Sequence, residues 1–539
     1  MTKKWWKAVA VCLALCLSLT GCFGTGYLVE SIVNQMVNAD VKFSEMEYTR
    51  PDMEQLRGAM EECCRLAAES DDVHEIMDSV WVYYDLYDQF FTQMNIADIY
   101  YCRDMSDEYW QAEYNFCLEQ STAPDMWLEE IHFALAKSPQ RPAIESDEYW
   151  GEGALDGYDG ENIWDEAFLE LMDQESALIG AYYDLTGQAM ETEYYSEDYF
   201  EQYGTQMAQL FVELIALRQQ IADYVGYDSY QQFAYDYYFY RPYTPDQVLE
   251  YTEKIRNTLV PLYRRANENE ALWAQTGERY SEEDTLDYLQ KSADRMGGVI
   301  KECFDVMKQR ELYDISFGEN KYDTSFELFL PSYYVPFVFT NPTGTAYDML
   351  VFAHEFGHFC NDYLCGGSFS GTDVSEFFSQ GMEYLTLCYG PEAEAVKTMK
   401  FADCLCVYVE QAAYASFEHQ VYDLRGDDLT EENVQALYSR VCREFGFDSW
   451  DWDARDYVTV SHFFSAPMYV ISYVVSNDAA LQLYQMEQEN PGTGLACYAE
   501  NLYSQEQDLL TFLETAGLQN PFQPDRLETV KELLEDELN

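Results

Sequence analysis

Two of the chain's six histidines fall in one short stretch, Ala353-His354-Glu355-Phe356-Gly357-His358-Phe359. A helix places residues four apart on one face, so His354 and His358 would aim two ring nitrogens at one point with Glu355 beside them. With six His in 539 residues, an H-E-x-x-H pattern arises by chance only roughly 0.007 times. The flanks support a helix. Thr345-Ala346-Tyr347-Asp348 has the form of a capping box, a hydroxyl at the cap and an acid three residues on. Met349, Phe352, Ala353, Phe356, Phe359 and Tyr363 then recur at helical spacing. The fold must bury that apolar side while the other side carries half of a zinc site and a base.

A catalytic zinc takes three protein ligands and leaves the fourth position to water, so the third ligand must come from elsewhere. Beyond a glycine-rich turn at 366–371, Thr372-Asp373-Val374-Ser375-Glu376 opens a second helix that runs through Gln380 and Gly381 to Glu383. Glu376 admits two readings: closing a capping box with Asp373, or packing back across the turn as a ligand. Upstream, residues 332–341 are β-prone and end at Pro342 and Gly344. Pro336 inside that run predicts an edge strand or a bulge, with an ordinary buried strand as the alternative. An edge strand beside a metal site would pair with an extended peptide through main-chain hydrogen bonds.

The N-terminus reads as export machinery. Lys3, Lys4 and Lys7 form a basic segment, and residues 8–19 form an apolar run too short for a finished membrane helix. Leu19-Thr20-Gly21-Cys22 resembles a bacterial lipobox. That resemblance implies a lipid on Cys22 and an extracytoplasmic protein anchored to the bacterial cell membrane. No other stretch reaches the length of a span. The formal charge is −67, and −70 once residues 1–21, with three Lys and no acid, are removed. Such a surface repels nucleic acid and anionic headgroups, and its field favours neutral or cationic substrates. Twelve Cys lie beyond Cys22 with no zinc-ribbon or disulfide-framework spacing. They point to an anaerobic or reducing habitat, and no disulfide is assigned.

Residues 51–68, 73–94 and 108–120 carry helical apolar spacing with acidic faces, and 146–161 reads as a long loop. Helical periodicity returns at 163–185 and 199–225. Thr244-Pro245-Asp246 caps a helix running toward Asn267, with Pro at its first position. No fixed-period repeat is present. The expected organisation is a signal segment and lipobox at 1–22, an N-terminal helical region at 23–205, and a catalytic domain at 206–539. The many Tyr and Phe of these helices read as core or channel lining.

Three segments carry a family resemblance. Arg218-Gln219-Gln220-Ile221-Ala222, Gly226-Tyr227-Asp228-Ser229-Tyr230 and Arg241-Pro242-Tyr243 form the first. The H-E-x-x-H helix with the Asp-x-x-Glu-x-x-Ser-Gln-x-x-Glu run from Asp373 to Glu383 is the second. The third is Ser461-His462 through Tyr469 to Tyr473. Together they resemble the oligoendopeptidase F branch of the thimet-oligopeptidase-like zinc peptidases, as do residues 410–418 and 512–522. The glycine turn is shorter than usual for the family, Gly381 sits where a larger residue is common, and Ile471 sits where another Tyr is common. The resemblance covers about residues 218–522.

The resemblance implies one Zn²⁺ per chain held by His354, His358 and Glu376. It implies Glu355 as general base toward a metal-activated water, with His462, Tyr469 and Tyr473 stabilising the oxyanion. Read alone, His462 and the two Tyr are ordinary core residues. Tyr469 and Tyr473, four apart, are expected on one helix face. Glu383 is the second choice for ligand and a candidate acid holding a His ring in place. His74, His132 and His419 have no partner pattern and read as structural or surface residues. The implied fold is mostly α, a helical ellipsoid of two halves around a deep channel with a small β-sheet next to the zinc helix. The implied activity is internal cleavage of short oligopeptides by a monomer. Two rivals are a catalytically inactive peptide-binding surface lipoprotein and an enzyme that trims peptide ends.

Overall fold

The computed structural model describes residues 41–538 apart from 147–148, 161–165, 190–191, 193–195, 270–278, 368–369 and 448–452. Cys22 and the export segment lie outside the described residues. The chain forms two compact units, one of residues 1–162, 298–343 and 362–368, the other of residues 163–297, 344–361 and 369–539. The architecture is mostly α with one three-stranded sheet among the described residues, as expected. No helix of the described residues is long and apolar enough to cross a membrane.

The first unit opens with α1 (Met53–Glu69), α2 (Val73–Arg103), α3 (Glu108–Gln120) and α4 (Thr122–Ala136). Asp52, Asp72 and Asp107 cap the first three by accepting N–H bonds of the first turn. Leu56, Met60, Cys63 and Leu66 of α1 meet Ile76, Val80 and Tyr83 of α2 and Ile131 and Leu135 of α4 in one core. Each large apolar side chain buried there contributes about 1.5–3 kcal/mol. Within 146–161 the described residues hold only a short 3₁₀ turn, Asp156–Tyr158. His132 contacts the Tyr84 hydroxyl at 3.2 Å and His74 contacts that of Tyr149, so both are structural.

The sheet corrects the edge-strand expectation. β1 (Tyr313–Asp314), β2 (Ser325–Leu330) and β3 (Val335–Thr340) stand in the order β1-β3-β2, so β3 is central and fully buried. Val338 N–H donates to Leu312 O at 3.0 Å. Side-chain parity then points the Pro336 nitrogen to the β1 side, and β1 pairs only with Val338 and Phe339. Proline occupies a central strand here without removing a ladder bond.

In the second unit, α5 (Thr205–Tyr224) follows a π-turn at Phe200–Gly204. α6 (Pro245–Thr258) starts with the expected capping box between Thr244 and Gln247. It stops before Val260–Asn267 rather than continuing, because Pro261 has no N–H to extend it. α7 (Tyr347–Cys365) and α8 (Thr372–Tyr389) form the heart of the unit, with α9 (Glu394–Cys406), α10 (Ala412–Val421) and α11 (Ile471–Glu489) around them. A Cβ at Gly381 would lie 2.9 Å from Leu483 and 3.0 Å from Tyr498, which accounts for the small residue. Buried Asp478 on α11 accepts from Arg526 at 2.7 Å and from Tyr408 at 2.8 Å. Among the described residues none of the twelve Cys is joined in a disulfide.

Candidate metal centre

At the start of α7, Asp348 accepts from the N–H groups of Gly344 at 2.7 Å and Thr345 at 3.1 Å, and the Thr345 hydroxyl accepts from Tyr347 N–H at 3.3 Å. The cap read from sequence is therefore present. Met349, Phe352, Ala353, Phe356 and Phe359 are buried, which turns His354 and His358 to the other side. Between them Gly357 presses on α8: a Cβ there would stand 2.4 Å from Phe378 O and 2.6 Å from Ser379 Cα. Backbone contact at this point brings Glu376 under the two imidazoles.

His354 Nε2 is 3.4 Å and His358 Nε2 is 3.9 Å from Glu376 Oε2. The three ligand atoms all lie within 4.8 Å of one another, the single such group of His, Cys, Asp and Glu among the described residues. Zinc bonds of about 2.0–2.1 Å in a tetrahedron set neighbouring ligands about 3.3 Å apart, so the donor set fits this ion. Each ligand is also held from behind. Glu383 Oε1 is 2.8 Å from His354 Nδ1, and Ser375 Oγ is 3.0 Å from His358 Nδ1. Tyr469 donates to Glu376 Oε1 at 2.7 Å, and Ser379 to Oε2 at 3.0 Å.

The capping reading of Glu376 is not what the helix adopts. The N-cap of α8 is Gly371 with no side-chain cap bond, and Asp373 is engaged elsewhere. It accepts from Tyr243 at 2.5 Å and from Ser472, and faces Arg241 at 3.4 Å.

Beyond Tyr469, whose ring lies 5.2 Å from that of Tyr473, the Tyr473 hydroxyl and His462 Nε2 are 3.2 Å apart. The expectation that both Tyr share a helix face is corrected: Tyr473 is on α11, but Tyr469 precedes it in a turn. That turn passes through Met468 at φ +69°, left-handed for a residue with a side chain. Arg241 holds the Met468 carbonyl at 2.7 Å, and Glu418 accepts the Met468 N–H at 2.9 Å. Arg218, wholly buried, bonds the Phe463 carbonyl at 3.0 Å, the Phe464 carbonyl, and Glu175 at 2.6 Å. The arginine-bearing segments of the sequence therefore clamp the loop that carries the donors. His419 is structural, between Ala415 O at 2.6 Å and Tyr235 at 2.8 Å.

Charge and burial set the protonation states. Burial, with Glu376 and Glu383 adding to it and His354 opposing, pushes the Glu355 carboxyl up to about 7. Burial alone would lower His354, but the Glu383 hydrogen bond and the Glu376 charge carry it up to about 9. Burial pulls His358 down to about 4. Burial and the nearby Glu376 raise the Tyr469 and Tyr473 hydroxyls well above their ordinary value, so both stay donors.

Sequence reasoning missed Ser375, Arg241, Glu418 and Lys400, whose Nζ is 2.8 Å from Glu383 Oε2. Ser375 shares the α8 turn with Glu376 and was readable as a neighbour. Lys400 comes from a third helix, and no spacing points to it.

Comparison with known proteins bears on the fold. Residues 43–159 match the peptidase M3 N-terminal domain. No curated protein matches the chain. A candidate oligoendopeptidase F structure is 21% identical with a TM-score of 0.78, the match covering 92% of this chain and 98% of that one. PZ peptidase A with an inhibitor is 20% identical with a TM-score of 0.78, covering 92% and 99%. A candidate oligoendopeptidase F from Bacillus anthracis is 18% identical with a TM-score of 0.74, covering 92% and 98%. Residues 43–159 are thus similar to a peptidase M3 N-terminal domain, and the chain shares the fold of these solved structures.

Proposed function

We propose that the protein is a zinc-dependent endopeptidase that hydrolyses short oligopeptides. The observation that carries this reading is the convergence of His354 Nε2, His358 Nε2 and Glu376 Oε2, each fixed from behind by a partner of its own. Zinc held by these three would supply the Lewis acidity that brings the pKa of a bound water toward about 7. Glu355 is buried and neighbours the first ligand, so a carboxylate there is placed to take a proton from that water and return it to a leaving amine. Tyr473 and His462 supply donors to the developing oxyanion, while Tyr469 steadies Glu376.

The test is hydrolysis of an internally quenched peptide by the purified protein, with and without chelator, beside Glu355→Gln. Loss of about 10²–10⁴-fold in Glu355→Gln is expected. Activity surviving that change removes the base assignment. Products mapped from end-blocked peptides decide between internal cleavage and trimming, and ready digestion of a folded protein contradicts the oligopeptide restriction.

We further propose that residues 1–22 direct export and that Cys22 carries the anchoring lipid, on the support of Lys3, Lys4, Lys7 and the run Leu19-Thr20-Gly21-Cys22. Fatty-acid labelling that persists in Cys22→Ala contradicts it. Short peptides are the proposed partners of a protein that acts as a monomer.

A further inference from the structure

His354 and His358 are backed differently. The Nδ1 of His358 meets the Ser375 hydroxyl, which either donates or accepts. That of His354 meets a carboxylate, which only accepts, and so fixes a proton on Nδ1 and leaves Nε2 as the nitrogen that can bind a metal. The other oxygen of that carboxylate is 2.8 Å from Lys400 Nζ. Lys400 is 1% exposed on α9, 4.4 Å over the Tyr384 ring and 3.8 Å from Asp403. A buried ammonium is tolerated only where carboxylates answer it, and here the nearer of the two continues straight to an imidazole.

Resting on the zinc-peptidase reading, we propose that Lys400 is a positioning residue of the metal centre: it pins Glu383 so that Glu383 orients His354. Without the ammonium, Glu383 loses the contact that fixes its rotamer and its charge, and the His354 ring is free to turn away from Glu376 and His358.

The test measures zinc affinity by competition with a chromophoric chelator and the visible spectrum of the cobalt-substituted protein. The variants are Lys400→Met, Lys400→Arg, Glu383→Gln, Asp403→Asn and the Lys400→Met/Glu383→Gln pair. Lys400→Met and Glu383→Gln are each expected to weaken zinc by about 10–100-fold, with the paired variant no weaker than Glu383→Gln alone. Lys400→Arg should recover part of the affinity, and Asp403→Asn should keep it whatever it does to the melting temperature. The paired variant leaves neither Glu383 nor Lys400 as an unanswered charge, so it serves where Lys400→Met alone fails to fold. A further tenfold loss in the pair, or wild-type affinity and cobalt spectrum in Lys400→Met, overturns the proposal while the zinc-peptidase reading stands. A loss in Asp403→Asn equal to that of Lys400→Met assigns Lys400 to packing. Absence of zinc binding in the unsubstituted protein overturns both.

Discussion

Gly357→Ala should separate the metal ligands. The added Cβ would stand 2.4 Å from Phe378 O, about 1 Å short of the 3.4 Å where ordinary contact begins, with Ser379 Cα at 2.6 Å. These are backbone atoms of α8, which no side-chain rotation clears. Relief requires α7 and α8 to part by about 1 Å, at the upper end of the ~1–3 kcal/mol cost of overpacking. Glu376 sits on the same turn as Phe378, so its carboxylate withdraws from His354 and His358. A misplacement of that size lowers a positioned reaction by about 10²-fold. Melting of the metal-free protein reads the packing cost, and chelator competition reads the lost zinc affinity. Gly58→Ala is the control, since a Cβ at that glycine within α1 meets nothing within 4 Å. It should stabilise by about 0.5–1 kcal/mol. Unchanged melting and unchanged zinc affinity in Gly357→Ala would refute the backbone contact and the account of how the ligands meet.

Three further outcomes follow from the same geometry. Tyr473→Phe should lower kcat by about 10²–10³-fold with little change in zinc affinity, whereas Tyr469→Phe, which frees Glu376 Oε1, should weaken zinc binding; steady-state kinetics beside chelator competition tell them apart. Arg241→Met leaves buried Asp373 without its cation and should cost about 3–5 kcal/mol, seen as a lower urea midpoint. Glu418 gives a pH dependence: burial raises its carboxyl from the ordinary 4.5 to about 8, and its Oε2 makes no hydrogen bond. The folded chain thus keeps a proton that the unfolded chain releases, so this stabilisation is full below about pH 4.5 and is lost as pH rises through about 8. Glu418→Gln should flatten the fall in urea midpoint between pH 5 and pH 8; equal slopes in the two proteins contradict the assignment.

What was legible in the sequence was local. The cap at Thr345 and Asp348, the apolar face of α7 and the capping box at Thr244 depend on residues within one turn, and each was readable. From its own residues the sequence leaves Glu376 open between cap and ligand, because the choice depends on what faces the helix from across the Gly366–Gly367 turn. Of the readings left open at Pro336 the buried strand holds and the edge strand does not, because a strand's edge depends on where its neighbour begins, and β1 is only two residues long. Tyr469 does not share a helix face with Tyr473 because the helix begins only at Ile471, two residues beyond it. Lys400 and Arg241 reach their partners across whole helices, and periodicity describes a face without naming what it meets. The N-terminal helices were legible as helices only, yet the domain match falls on residues 43–159.

The clamp on the Met468 turn bears on when the protein becomes competent. A ribosome delivers His354, Glu355, His358 and Glu376 well before Tyr469 and Tyr473, and the arginines awaiting that last loop were made earlier still. Until residues 463–472 thread back onto Arg218 and Arg241, a nascent chain has ligands for a cation and no donors opposite them. On the proposed mechanism, hydrolysis therefore waits for the C-terminal loop to be clamped, wherever the chain folds.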